Sequence, residues 1–286
     1  MFRNNGEIMA SQQEKYEAFR SLHDGKRAFV MPNPWDAGTA RFLTSLGFKA
    51  LATTSAGLAF SLGERDSHAA LSRETILTNA AAIVAATHLP VSADLENGFG
   101  DSPEDCALTI RRACEAGLVG GSIEDASGRE DAPIYPFELA VARVRAAAEA
   151  RAGLPFLLTA RAENFLWGRP DLDDTIRRLQ AFEDAGADVL YAPGLPDLDA
   201  IEKVCSAVSR PVNVVMGLKG RNYTVAELEK IGVKRISVGG SFARAALAGL
   251  KQAAEEVLLN GTFDYPRLDG SEAERLTTHQ AGEGDA

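Results

Sequence analysis

The chain has 286 residues, 45% of them apolar, with 40 acidic against 30 basic side chains and a formal net charge of -10. That length suits a single α/β barrel, and the acidic surplus argues against a nucleic-acid or anionic-membrane partner, since both ask for a cationic surface. No stretch nears the roughly 20 apolar residues of a membrane span, and the opening MFRNNGEIMASQQEKYEAF lacks the apolar heart of a secretory signal, so the cytoplasm is the expected compartment.

Residues 1–11 read as a loose tail. A helix is predicted from about Gln12 to His23, with Tyr16, Phe19 and Leu22 on one side and placed to cap the bottom of the barrel. Next come eight short apolar runs: Ala28 to Asn33, Ala50 to Ser55, Pro90 to Glu96, Gly120 to Asp125, Pro155 to Arg161, Val189 to Pro193, Pro211 to Met216 and Arg235 to Gly240. Near-continuous apolarity is what parallel strands buried on both faces require. Between them lie amphipathic stretches, several announced by capping side chains at Ser72, Ser102, Asp171 and Thr224. Glycine closes helices in EAGL (115–118) and DAGAD (184–188), just before the next strand. No GxGxxG comes after the first run, which favours closure over an open doubly wound sheet. The expected fold is one (β/α)8 TIM barrel over residues 1–286, its core from about 26 to 250. A last helix runs to about Leu259, and the final fifteen or so residues are expected to lack order. Cys106, Cys114 and Cys205 form no CxxC pair and read as reduced thiols.

Barrels of this kind work at the C-terminal rim. The strand ends and adjoining loops there carry Asn33, Trp35 and Asp36; Thr54 and Ser55; Asp94 and Glu96; Glu124 and Asp125; Arg161 and Glu163; Tyr191; Asn213; and Gly239 with Gly240. Asp94 and Glu96 lie two apart on one predicted strand, so both should face one side, and Glu124 from the next strand joins them. Three carboxylates this close repel unless a cation sits between them, and magnesium fits, with manganese as a substitute. The other reading pairs these acids with Arg161 and the basic loop residues in an internal salt-bridge network. Arg161 suits a carboxylate or a developing enolate oxygen. The Thr53 to Gly57 turn, with its backbone N–H groups and hydroxyls, is a candidate anion site, as is Gly239-Gly240-Ser241. His23, His68, His88 and His279 fall on helices, linkers or the tail, and no His-rich zinc site is expected.

These residues carry a resemblance. PVSADLENGFG (90–100), SLGERD (61–66), GGSIEDASG (120–128) and TARAENF (159–165) resemble the motifs of the isocitrate lyase / phosphoenolpyruvate mutase superfamily, and the chain looks closest to its phosphonomutase-like branch. The resemblance implies magnesium at the barrel mouth, a bound 2-oxo or 2-hydroxy acid, and chemistry through an enolate. It assigns Asp94, Glu96 and Glu124 to the metal, Asp66 to the shell behind them, and Arg161 to the enolate or carboxylate. Thr54, Ser55 and Gly57 would take the substrate carboxylate. It also implies a homodimer or homotetramer that exchanges the eighth helix.

Departures from the family pattern narrow the reading. Family lyases carry a Lys-Lys-Cys-Gly-His or Lys-Arg-Cys-Gly-His loop after the fourth strand, where this chain has ASGREDAPIYP (126–136) with no Cys, His or Lys. The mutases and hydrolases place lysine or asparagine there and a histidine after the sixth strand. Here those places hold Arg129 and Tyr191-Ala-Pro-Gly. Three readings remain: a carbon-carbon lyase, a carbon-phosphorus mutase or hydrolase, and a barrel that binds a 2-oxo acid without turning it over. Tyr191, Glu163, Arg129 or a metal-bound water are the candidates for proton transfer.

Overall fold

Eight parallel strands form the wall of the molecule in this computed structural model, which describes residues 10–66, 70–218 and 220–278. They are β1 (Phe29–Met31), β2 (Leu51–Ala52), β3 (Val91–Asp94), β4 (Gly120–Glu124), β5 (Leu157–Arg161), β6 (Val189–Tyr191), β7 (Val212–Val215) and β8 (Arg235–Ser237). The order β1-β8-β7-β6-β5-β4-β3-β2 is that of a (β/α)8 barrel, complete except for a ladder between β1 and β2. Across that seam the Ala52 N–H donates to the Pro32 carbonyl at 3.0 Å. The buried Asn33 staples the same corner: its amide donates to the Thr53 carbonyl, while its oxygen accepts from the N–H groups of Val238 and Gly239. Asn33, a candidate for the site, thus commits its oxygen and one amide N–H to closure.

The helices are α1 (Gln12–Asp24), α2 (Ala37–Ser45), α3 (Ser55–Ser61), α4 (Arg73–Ala85), α5 (Pro103–Glu115), α6 (Phe137–Ala150), α7 (Leu172–Asp184), α8 (Leu198–Ala207), α9 (Val225–Lys230), α10 (Ser241–Glu255) and α11 (Gly270–Thr277). Ser72, Ser102, Asp171 and Thr224 each accept the backbone N–H three residues on, the bond that satisfies a helix's first orphan donors. After α5 and α7, Gly117 and Gly186 take φ of 86° and 105°, where a Cβ would be strained.

The helix α1 plugs the lower end of the barrel. Its Phe19 is fully buried and packs with Met31, Ala50, Ala52, Val119 and Leu157. The first residue of β4 is glycine for the same reason: a Cβ on Gly120 would come within 2.9 Å of the Phe19 ring.

Three expectations need correction. Apolar runs overestimate strand length at the rim: β3 stops at Asp94, and Glu96 lies beyond it with a left-handed φ of 47°, so strand alternation does not orient it. The turn after β2 is the first turn of α3, with Thr54 as its cap. Residues 270–277 are helical, because Asp269 caps α11 and the buried Leu276 anchors it on the barrel wall beside α2. Residues 1–9, His68 and the tail beyond 278 lie outside the described residues.

Helix α10 and the π-turn after it (Glu256–Asn260) bury only Ala243. Leu247, Leu250, Leu258 and Leu259 are exposed there. The three cysteines are free, and no helix among the described residues is long and apolar enough to cross a membrane.

Candidate active site

Above the plug, a cavity of about 450 Å³ opens at the C-terminal rim. Its centre is Arg161, the last residue of β5. Nη1 lies 3.1 Å from Asp94 Oδ1, Nη2 3.0 Å from Glu124 Oε2, and Nε 2.8 Å from Glu163 Oε1. Register explains the convergence, since Glu124 sits directly opposite Arg161 in the β4–β5 ladder and Asp94 ends the next strand over. The Tyr191 ring, paired across β5–β6, lies 5.0 Å from the guanidinium carbon. Burial alone would lower the Arg161 pKa, but attraction from Glu124, Glu163 and Asp94 raises it well above its ordinary value.

The acids are less settled than their arginine. Burial raises the Glu124 pKa well above the carboxylate range; Arg161 opposes this, and repulsion from Glu163, Asp94 and Glu96 adds to it. Glu163 shifts upward by burial too, against the pull of Arg161. Asp66, on the upper wall, is raised by burial and by the charge of Asp94. Burial also pushes the Tyr191 phenol upward, keeping it protonated at neutral pH.

Asp94 is held from two sides, accepting from Ser55 Oγ at 2.8 Å and the Ser55 N–H at 3.4 Å. The turn expected to offer donors to an anion therefore spends those of Ser55 on a carboxylate, while the Gly57 N–H goes to the Thr54 hydroxyl. Thr54 and Ser55 line the cavity. Gly57 does not; it is a packing glycine whose Cβ would fall 2.7 Å from Thr54 Cγ2 and 3.0 Å from Trp35 Cβ. Trp35 likewise packs behind the cavity wall rather than on it. Asp36 caps α2. Asp125 turns away from the mouth to pair with Arg178 at 3.0 Å and to accept the Glu163 N–H. Burial, which outweighs Arg178, brings its pKa to about 7. Arg129 also stands apart, paired at 2.8 Å with Asp101 on the surface.

Among the described residues no three or more acidic, histidine or cysteine side chains form a ready-made metal cluster. The salt-bridge reading describes the arrangement seen, with Arg161 between the acids. The donor chemistry still fits a hard divalent cation: five carboxylates, Asp66, Asp94, Glu96, Glu124 and Glu163, line a cavity whose described cations are Arg161 and Arg235. Carboxylate oxygens are what Mg2+ selects.

Arg235 was not among the residues the strand-end rule singles out. It sits at the start of β8, two before Ser237 and hence on the same inward face, a spacing that marks it in hindsight. Its partner Asn213, which the rule did identify, accepts from Arg235 Nε at 2.8 Å and so serves as a support on the cavity floor.

Comparison with known proteins agrees with this architecture. The family model for phosphoenolpyruvate phosphomutase matches residues 19–258. A candidate lyase/mutase from Burkholderia cenocepacia J2315 is 57% identical, with a TM-score of 0.90 over 92% of this chain and 95% of the other. Oxaloacetate decarboxylase of Pseudomonas aeruginosa is 28% identical over 281 residues, covering 95% of this chain and 91% of the relative. Phosphonopyruvate hydrolase, solved with oxalate and Mg2+, shares the fold with a TM-score of 0.83 at 22% identity, over 93% of this chain and 95% of that one. The chain belongs to the phosphoenolpyruvate mutase/isocitrate lyase superfamily, and it is an enzyme of that superfamily.

Proposed function

We propose that the protein is a Mg2+-dependent lyase that cleaves a carbon-carbon bond in a small 2-hydroxy or 2-oxo (di)carboxylic acid by way of an enolate. The observation that carries this reading is the three-way grip of Asp94, Glu124 and Glu163 on Arg161 at the bottom of an acid-rich mouth. Asp94, Glu96 and Glu124 would hold Mg2+, which supplies Lewis acidity for charge developing on the substrate's 2-oxygen.

The chain's own residues do the rest. Arg161 is fixed by its three partners, so its fork meets developing negative charge without reorganising, the condition under which such a donor is most effective. Thr54 and Ser55, which line the cavity, would meet the substrate carboxylate. Asp66, which also lines the cavity, would support these ligands from behind. Glu163 and Tyr191, both lining the cavity and both shifted by burial toward their protonated forms, are this reading's donors of a proton to the enolate carbon. Arg129, tied to Asp101, takes no part.

Carbon-phosphorus chemistry on phosphonopyruvate is the second reading, favoured by the match to the phosphomutase family model. The exposed leucines of α10 and of the π-turn after it form an apolar face that would suit pairing with further copies, as a homodimer or homotetramer. Free thiols suit the reducing cytoplasm.

A Mg2+-dependent screen tests the proposal, offering oxaloacetate, branched malates, methylisocitrate and phosphonopyruvate and reading release of 2-oxo acid and of phosphate. Chelator-sensitive release of a 2-oxo acid without phosphate supports the lyase, and phosphate or phosphoenolpyruvate supports the second reading. Tight binding of a 2-oxo acid with no turnover of any member would make the barrel a binding protein and overturn both.

A further inference from the structure

Beneath the acid ring the cavity continues into the barrel. Residues two positions earlier on each strand share the inward face: Ser92 lies below Asp94, Ser122 below Glu124, Thr159 below Arg161. The small side chains of Ser92 and Ser122 leave room there. Arg235 reaches across this space from β8. Its Nε donates to Asn213 Oδ1 at 2.8 Å, its Nη2 donates to Thr159 Oγ1 at 2.9 Å, and its Nη1 faces His23 Nε2 at 3.4 Å. The His23 Nδ1 lies 2.8 Å from the Phe19 carbonyl, a contact that places the proton on Nδ1 and leaves Nε2 to accept.

Every one of these partners is neutral. Arg235 is 3% exposed, and it enters none of the ion pairs found among the described residues. A buried cation without a counter-ion is costly, yet here a shell of neutral acceptors holds one in place. Each terminal nitrogen carries two N–H groups and spends one on the protein, so each keeps a second, and Arg235 lines the cavity.

We propose that Arg235 receives a second anionic group of the substrate, in a lower chamber one side-chain layer beneath the mouth. This rests on the reading of the mouth as a 2-oxo acid site. Two residues of strand rise put the chamber about 6–7 Å below Arg161, a depth that fits a diacid of roughly four or five carbons. Arg235 is then a specificity-determining residue that selects diacids over monoacids, and Asn213 and Thr159 aim its fork.

The experiment compares 2-oxoglutarate with 2-oxopentanoate, which have the same length and differ only in carrying a carboxylate or a methyl at the far end. Binding of each to the full chain is measured by titration calorimetry in the presence of Mg2+. The wild type is expected to favour the diacid by about tenfold or more, Arg235→Met to bring the ratio within about twofold, and Arg235→Lys to keep part of it. An unchanged ratio in Arg235→Met, with the fold intact by circular dichroism, overturns the inference. Equal wild-type affinity for the two acids overturns it as well, and does so without needing a variant, while leaving the reading of the mouth in place. Failure of the wild type to bind either acid removes the reading of the mouth, and this inference falls with it.

Discussion

Arg161 and Asp94, which come from strands separated by β4, are joined by a 3.1 Å ion pair inside the cavity. Because the same guanidinium also binds Glu124 and Glu163, its loss leaves three acids facing one another. Arg161→Met should lower turnover by about 10²–10³-fold, and breaking the buried pairs should cost about 3–5 kcal/mol of stability. Arg161→Lys keeps the charge but not the fork, and should recover stability more than rate. Steady-state kinetics beside urea unfolding separates the two effects.

Glu124→Gln and Asp94→Asn each remove a carboxylate charge from the proposed metal site while keeping shape. Each should weaken Mg2+ binding, measured by calorimetry, and reduce turnover about 100-fold or more with the fold retained. Full activity in both variants would take the metal out of the chemistry.

Arg129→Ala should leave turnover within a few-fold of wild type. The Arg129–Asp101 pair is exposed, and such pairs contribute about 0–1 kcal/mol. A large loss of rate on assay would place the loop after β4 in the mechanism and contradict the arrangement described.

His23 gives stability a pH dependence. Its folded pKa falls from 6.5 to about 3, chiefly by burial and then by the charge of Arg235. On acidification the unfolded chain takes up the proton first, so the contribution is whole above pH 6.5 and is lost progressively down to about pH 3. Between about pH 7.5 and pH 5 the loss from this group is about 2 kcal/mol. Urea unfolding at the two pH values should show it, and His23→Gln should shrink the difference.

Phe19→Ala opens a hole between α1 and the barrel floor. It should destabilise by about 3–5 kcal/mol, seen as a lower thermal midpoint, with the affinity for Mg2+ unchanged.

Much of this structure was legible in the residues. Parallel strands buried on two faces leave apolar runs that nothing polar interrupts, and caps such as Ser72 and Thr224 announce their helices by local chemistry. The rim rule brought Asp94, Glu124 and Arg161 to one place because strand ends are nearly fixed by those runs. What depends on backbone conformation beyond the strand was hidden: Glu96 looked like a strand residue until its φ of 47° took it off the pleat. What depends on packing was hidden too. Gly57 read as a site for a ligand to approach, but it makes room for Trp35 and Thr54. Arg235 escaped notice because a charged residue opening a strand looks like a surface residue until the barrel closes around it.

The ring of Phe19 packs across the floor of the barrel, and the cavity opens at the rim. If the proposed cleavage takes place there, both products would leave by the rim. A fragment held deeper, at Arg235, would wait there until the one nearer the rim had gone, an order of release that no rim residue would need to enforce.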